Sequence, residues 1–175
     1  MDEAGQSSLV ARLASHGWLG SIVGPEGSGK STLIEDLEAA VSAAGREVVW
    51  IRLNSESTPK QRDDAVRQIV QLGPTQCCFL DGGEVLGQLN WWQLSRRKKH
   101  LKGGVLATLH RRRFLPVIYA THTGMETCIQ LAKQLAGKSW NDELRQVAIN
   151  AFDAQKGNVR EVFRECYHWC SLREG

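Results

Sequence analysis

The nine residues 24-GPEGSGKST-32 constrain the fold of this 175-residue chain more than any other stretch. They follow an apolar run at 18–23 and precede a helical pattern at 30–44, so a buried strand must turn sharply and enter a helix at once. Three glycines in six positions let backbone N–H groups converge in conformations other residues resist, and a helix N-terminus adds partial positive charge. The spacing G-x-x-x-x-G-K-[ST] is met at every constrained position, with Gly24, Gly29, Lys30 and Ser31 in those places. Phosphate is the chemistry this arrangement suits. Gly24, Pro25, Glu26, Gly27, Ser28 and Gly29 form the cradle, Lys30 reaches the β and γ phosphates, Ser31 offers a hydroxyl to Mg²⁺, and Thr32 supports the helix start or the α phosphate.

The pattern around the loop predicts the rest of a core. A short amphipathic helix is expected at 7–16, and strands at 18–23, 48–51, 77–81, 104–110 and 115–121. Ser57-Thr58-Pro59 supplies a capping residue and a helix-starting proline, opening a helix that Gly73-Pro74 closes near 72. Apolar strands alternating with helices imply an α/β fold of three layers, α/β/α, around a mostly parallel five-stranded sheet. Only 111-RRRF-114 separates the fourth and fifth strands, so either they pair antiparallel or a bare loop crosses. From 125 onward the pattern is helical, which divides the chain into an α/β core at 1–124 and a lid-like helical segment at 125–175.

With these elements in place, the chain resembles the P-loop NTPases, in which 24–32 is the Walker A loop. The resemblance implies an aspartate at the end of a second apolar strand to complete the Mg²⁺ site, and Asp81 after 77-CCFL-80 occupies that position. Hydrolysing members usually carry a glutamate directly after it. Here the order is 81-DGGE-84, similar to the D-G-x-(D/E) variant of AAA+ and STAND-type ATPases, so Glu84 is the expected catalytic carboxylate, with Lys30 and Asp81 beside it. Thr108 or His110 matches the family's first sensor, and 157-GNVRE-161 resembles a segment of AAA+ lids in which Arg160 is the second. Arg111, Arg112 and Arg113 stand where AAA+ rings place an arginine that reaches a neighbouring subunit's nucleotide.

The resemblance therefore implies an Mg²⁺-dependent ATPase, with ATP and Mg²⁺ as cofactors, that couples nucleotide state to a protein partner or to self-assembly as a homo-oligomer. At this length the output is expected to lie outside the core. Two rivals remain open. A P-loop kinase shares the loop and an arginine on the second strand, Arg52, and would use 96-RRKK-99 to screen phosphate charge. A switch that holds ATP without cutting it follows if Gly82 and Gly83 keep Glu84 from the water.

Charge adds a partner. From Val85 to Met125 there is no Asp or Glu but eight Lys and Arg, while the other 14 Lys and Arg face all 19 Asp and Glu. Segment 96–113 thus favours an anionic partner, and Trp91-Trp92 beside it adds the aromatic faces that stack nucleic-acid bases. No apolar run approaches the ~18 residues of a membrane span, the opening MDEAGQSSLV lacks the features of a secretory signal, and five irregularly spaced cysteines make no disulfide framework, so the cytoplasm is expected. Cys166, His168 and Cys170 bring zinc to mind, but the two cysteines would share a helix face from which His168 points away.

Overall fold

A computed structural model describes residues 2–122 and 124–173, so position 123 and the outermost residues of the expected core and helical segments lie outside the described residues. The chain forms two compact units, Met1–Val23 with Gly29–Ala120, and Gly24–Ser28 with Thr121–Gly175.

The first unit contains α1 (Glu3–Ser15), β1 (Leu19–Val23), α2 (Lys30–Asp36), α3 (Glu38–Ala43), β2 (Glu47–Arg52), α4 (Pro59–Gln71), β3 (Gln76–Asp81), α5 (Gln88–Arg97), β4 (Gly104–Leu109) and β5 (Val117–Ala120). Its sheet runs in the order β2-β3-β4-β1-β5, and every pairing is parallel. Alternation along the strands feeds two cores. On one face Cys77, Phe79, Leu106, Ile22 and Ile118 meet α1, α2 and α3 through Leu13, Ile34, Leu37 and Val41. On the other, Cys78, Leu80, Val105, Ala107 and Leu109 meet α4 and α5 through Val66, Ile69, Trp91 and Leu94. The expected three-layer α/β/α fold is therefore present, with an all-parallel sheet.

Two local expectations change, and one left open is decided. The first helix begins at Glu3 rather than 7, because the Asp2 carboxylate accepts a hydrogen bond from the Gly5 amide (3.0 Å) and adds a turn with no apolar signal. The helix over 30–44 breaks at Leu37 into α2 and α3, although the Leu37 amide still bonds the Leu33 carbonyl and the Val41 amide bonds that of Leu37. The fourth and fifth strands do not pair at all. Both lie against β1, and residues 110–116 cross as a bare loop without a helix.

The second unit holds α6 (Met125–Ala136), α7 (Asp142–Ala154) and α8 (Val159–Ser171) around Cys128, Ala132, Leu144, Ala148, Val162 and Cys166. Asn141 caps α7 through the Leu144 amide (2.9 Å). Cys166 is buried and His168 exposed, as helical spacing requires. All five cysteines are free. No helix among the described residues is long and apolar enough to cross a membrane.

Candidate nucleotide site

Parallel strands all end on one edge of a sheet, and in open α/β sheets ligands bind at that edge. In the first unit β1 runs toward the glycine-rich loop, β3 ends in Asp81 and β4 ends just before His110. The register pairs Val23 with Leu109 and Leu80 with Ala107, so the ends of all three strands come level. Lys30 is the first residue of α2 and only 7% exposed, an unusual burial for lysine that suits a place where anionic charge arrives. Ser31 and Thr32 follow on its exposed side.

Side chains converge on Asp81. Its Oδ1 accepts hydrogen bonds from Ser31 Oγ (3.0 Å) and Thr108 Oγ1 (2.7 Å). Thr108, buried at the tip of β4, also accepts the Gly82 amide proton at 2.9 Å, so one hydroxyl fixes both the carboxylate and the turn that follows it. That turn requires glycine. Gly82 has φ +77°, and a Cβ there would overlap the Leu53 carbonyl oxygen. Gly83 is buried, and its carbonyl accepts the indole proton of Trp91 at 2.9 Å, which ties the start of the short 3₁₀ turn Gly83–Val85 to α5.

Glu84 lies in this turn, half-buried. Its Oε1 is 3.2 Å from His110 Nε2, whereas its Oε2 is buried without a hydrogen-bond partner. The residues grouped by sequence thus separate into two sets: Ser31, Asp81 and Thr108 form one network, and Glu84 with His110 forms another. Thr108 and His110 are interchangeable as sensor candidates in the sequence, but their positions give them different partners.

The loop itself contributes to the second unit. Ser28 Oγ donates to the Pro25 carbonyl (2.7 Å) and is hydrogen-bonded to Thr121 Oγ1 (2.6 Å), closing Gly24–Ser28 into a tight turn in which Glu26 is exposed. Gly27 has φ +70°, and a Cβ there would overlap the Asn158 amide oxygen and come within 3.0 Å of the Arg160 backbone nitrogen. Arg160, at the start of α8, is exposed, whereas Asn158 Oδ1 is buried and unpaired. The sequence motif around 157–161 points to Arg160; its neighbour Asn158, and Thr121 beyond β5, escape it. The signal available for Asn158 is the same five-residue segment, and nothing in the sequence marks Thr121.

The basic segment does not form one surface. Arg96, Arg97, Lys98, Lys99 and Lys102 precede β4, while Arg111, Arg112 and Arg113 follow it, so a strand length of about 20 Å separates the two groups. Only the second group shares the edge of Asp81. The turn that carries Lys98, Lys99 and Lys102 leads into the start of β4, at the other edge.

A donor set of hydroxyl and carboxylate oxygens is the type Mg²⁺ takes. Octahedral Mg²⁺ with ligands near 2.1 Å sets neighbouring oxygens about 3 Å apart. The Ser31 and Asp81 oxygens, 3.0 Å apart, fit that edge.

Comparison with known proteins agrees with this geometry. A family model described as an AAA domain matches residues 12–122. Among solved structures, NtrX from Brucella abortus in complex with ATP superposes with a TM-score of 0.61 at 12% identity, covering 94% of this chain and 49% of that one. AMPPCP-bound DnaA from Aquifex aeolicus gives 0.57 at 13% identity, with 91% and 58% covered. The Holliday junction branch migration motor RuvB from Thermotoga maritima gives 0.53 at 13%, with 94% and 60% covered. At these identities the likeness is one of fold, and the chain spans three fifths or less of each of these structures. No curated protein matches the sequence. With a matching model over most of its α/β unit, a glycine-rich phosphate loop and an all-parallel five-stranded sheet, the chain belongs to the AAA domain family of P-loop NTPases, ATP-binding ATPase domains.

Proposed function

We propose that this protein is a slow Mg²⁺-dependent ATPase whose nucleotide state is coupled to a partner or to self-assembly. The observation that supports it most is the pair of networks at one sheet edge, Ser31–Asp81–Thr108 and Glu84–His110. The amides of the 24–29 loop hold the phosphates, and Lys30 neutralises the β and γ oxygens from its buried position. Ser31 and Asp81 would hold Mg²⁺, which when bound neutralises charge on the phosphate oxygens. Thr108 keeps Asp81 oriented. Glu84 orients a water so that its oxygen bonds the γ phosphorus as the bond to the bridging oxygen breaks; the water's proton passes toward the carboxylate and ADP leaves with phosphate.

Arg160 reads the γ phosphate in this proposal, supported by its backbone lying beside Gly27 within the second unit. One of Arg111, Arg112 and Arg113, all exposed, acts on the nucleotide of a neighbouring copy. Two of the structures it resembles hold ATP or AMPPCP, and RuvB is a branch migration motor, which is the kind of coupling expected here.

A non-hydrolysing switch is the second reading, and one observation favours it: Glu84 is already engaged by His110. Steady-state phosphate release separates the two. Lys30→Ala should lose ATP binding. Glu84→Gln should retain binding and lose turnover by about 100-fold or more, and His110→Ala should raise turnover if the histidine restrains the carboxylate. Wild-type protein that binds ATP·Mg²⁺ tightly with no phosphate release, unchanged by His110→Ala, would establish the switch instead.

A further inference from the structure

We propose that the outer face of α5, which leads away from the nucleotide edge, and the turn after it bind single-stranded nucleic acid. Helical spacing puts Leu89, Trp92, Gln93 and Arg96 on one face, and all four are exposed, while Trp91 and Leu94 turn into the core. Leu89, 75% exposed, and Trp92, 56% exposed, are one helical turn apart on this face, so their apolar surfaces lie side by side rather than scattered. The Arg96 guanidinium lies over the Trp92 ring, 5.0 Å from its centroid, so cation and aromatic face already stand together.

Charge names the occupant. Arg96, Arg97, Lys98, Lys99 and Lys102 are exposed, and among the described residues none of them forms an ion pair with a carboxylate. The carboxylate that meets α5 is Asp63 of α4, which accepts from Asn90 (2.9 Å) on the flank of the helix and toward its other end. At about 1.5 Å per residue, Arg96 and Lys99 lie within roughly 10 Å of Trp92 along the helix. An unpaired base stacking on the ring would thus bring its phosphates over uncompensated cations, the pairing of aromatic platform and basic track that single strands use. A duplex keeps its bases stacked on each other and would meet the charges alone.

The test is fluorescence anisotropy of a labelled oligothymidylate, about 20 nucleotides long so that it exceeds one site, with the full chain across a salt series. Trp92→Ala should weaken binding about 5-fold or more with an unchanged salt slope, because stacking carries no counterion release. The quadruple change of Arg96, Arg97, Lys98 and Lys99 to Gln should weaken it by about tenfold or more and flatten the slope by about 0.7 for each phosphate no longer neutralised. Both variants alter exposed side chains, and unchanged ATP affinity and circular dichroism show that they fold. The proposal is overturned if Trp92→Ala binds as the wild type does, if only Arg111, Arg112 and Arg113 matter, if duplex competes better than single strand, or if the face captures phosphatidylserine vesicles and no oligonucleotide. None of these outcomes depends on whether ATP is hydrolysed, so the two readings fail separately.

Discussion

The hydroxyl of Thr108 is shared between a carboxylate and a backbone amide, and its removal should be felt at both. In Thr108→Val the Gly82 amide loses its acceptor, at about 1–3 kcal/mol for a buried group left unpaired, and Asp81 loses one of two donors that hold Oδ1. The expected result is a lower melting temperature together with a higher Mg²⁺ concentration for half-maximal ATP turnover; a Mg²⁺ titration that overlays the wild type would leave Thr108 a purely structural residue. At this scale Lys30, Ser31 and Asp81 are legible in the sequence, because fixed spacing and a strand end announce them. The division of labour between Thr108 and His110 is not. Two residues apart at one strand end, they are told apart only once the fold brings Asp81 and the Gly82 amide to Thr108 and Glu84 to His110.

Among the elements, α4 shows how far local chemistry alone specifies structure. Thr58 accepts the Gln61 amide proton while the Gln61 side chain accepts that of Thr58, and Pro59 stands at the first helical position. Thr58→Ala should cost about 1–2 kcal/mol. In a chain of this length that lowers the melting temperature by roughly 2–8 °C, and nucleotide affinity should not change; a thermal scan with and without ATP checks both. The start and proline stop of this helix are readable in full. The crossing between β4 and β5 is readable only as one of two alternatives, since its residues carry a turn's composition and a strand's neighbours. Pro116, expected in a strand, instead lends its carbonyl to the Ser21 amide (2.8 Å) just before β5 begins.

For the whole molecule, buried thiols tie stability to alkaline pH. Burial pushes Cys77 from the ordinary 9.0 up to about 12, and Cys166 up to about 11, with Cys78 raised still further. These groups stay protonated in the folded chain while an unfolded chain releases their protons near pH 9. Their contribution to stability is therefore complete below pH 9 and is lost as pH climbs from 9 toward 12. Urea midpoints should fall between about pH 8 and about pH 10.5, and Cys77→Ala with Cys166→Ala should lower stability at both values yet flatten the fall. At neutral pH iodoacetamide should leave Cys77 and Cys78 unmodified until the chain is denatured. The sequence foretells the apolar setting of Cys77 and Cys78, and its helical periodicity foretells the all-α C-terminal stretch. The strand expected at 104–110 also parts the basic segment in the sequence; what composition alone does not give is which sheet edge each half reaches, because net charge is a property of composition and its placement a property of topology.

The bare crossing at 110–116 carries one more consequence. His110 at its start is held by Glu84, and at its far end Phe114 packs against Trp91 with ring centroids 5.7 Å apart while Leu115 is buried. Three arginines thus lie between two anchored points of the crossing. If Glu84 lets go of His110, one of these points is freed while the Phe114–Trp91 contact and the buried Leu115 keep the other, so the arginines between them would gain freedom together.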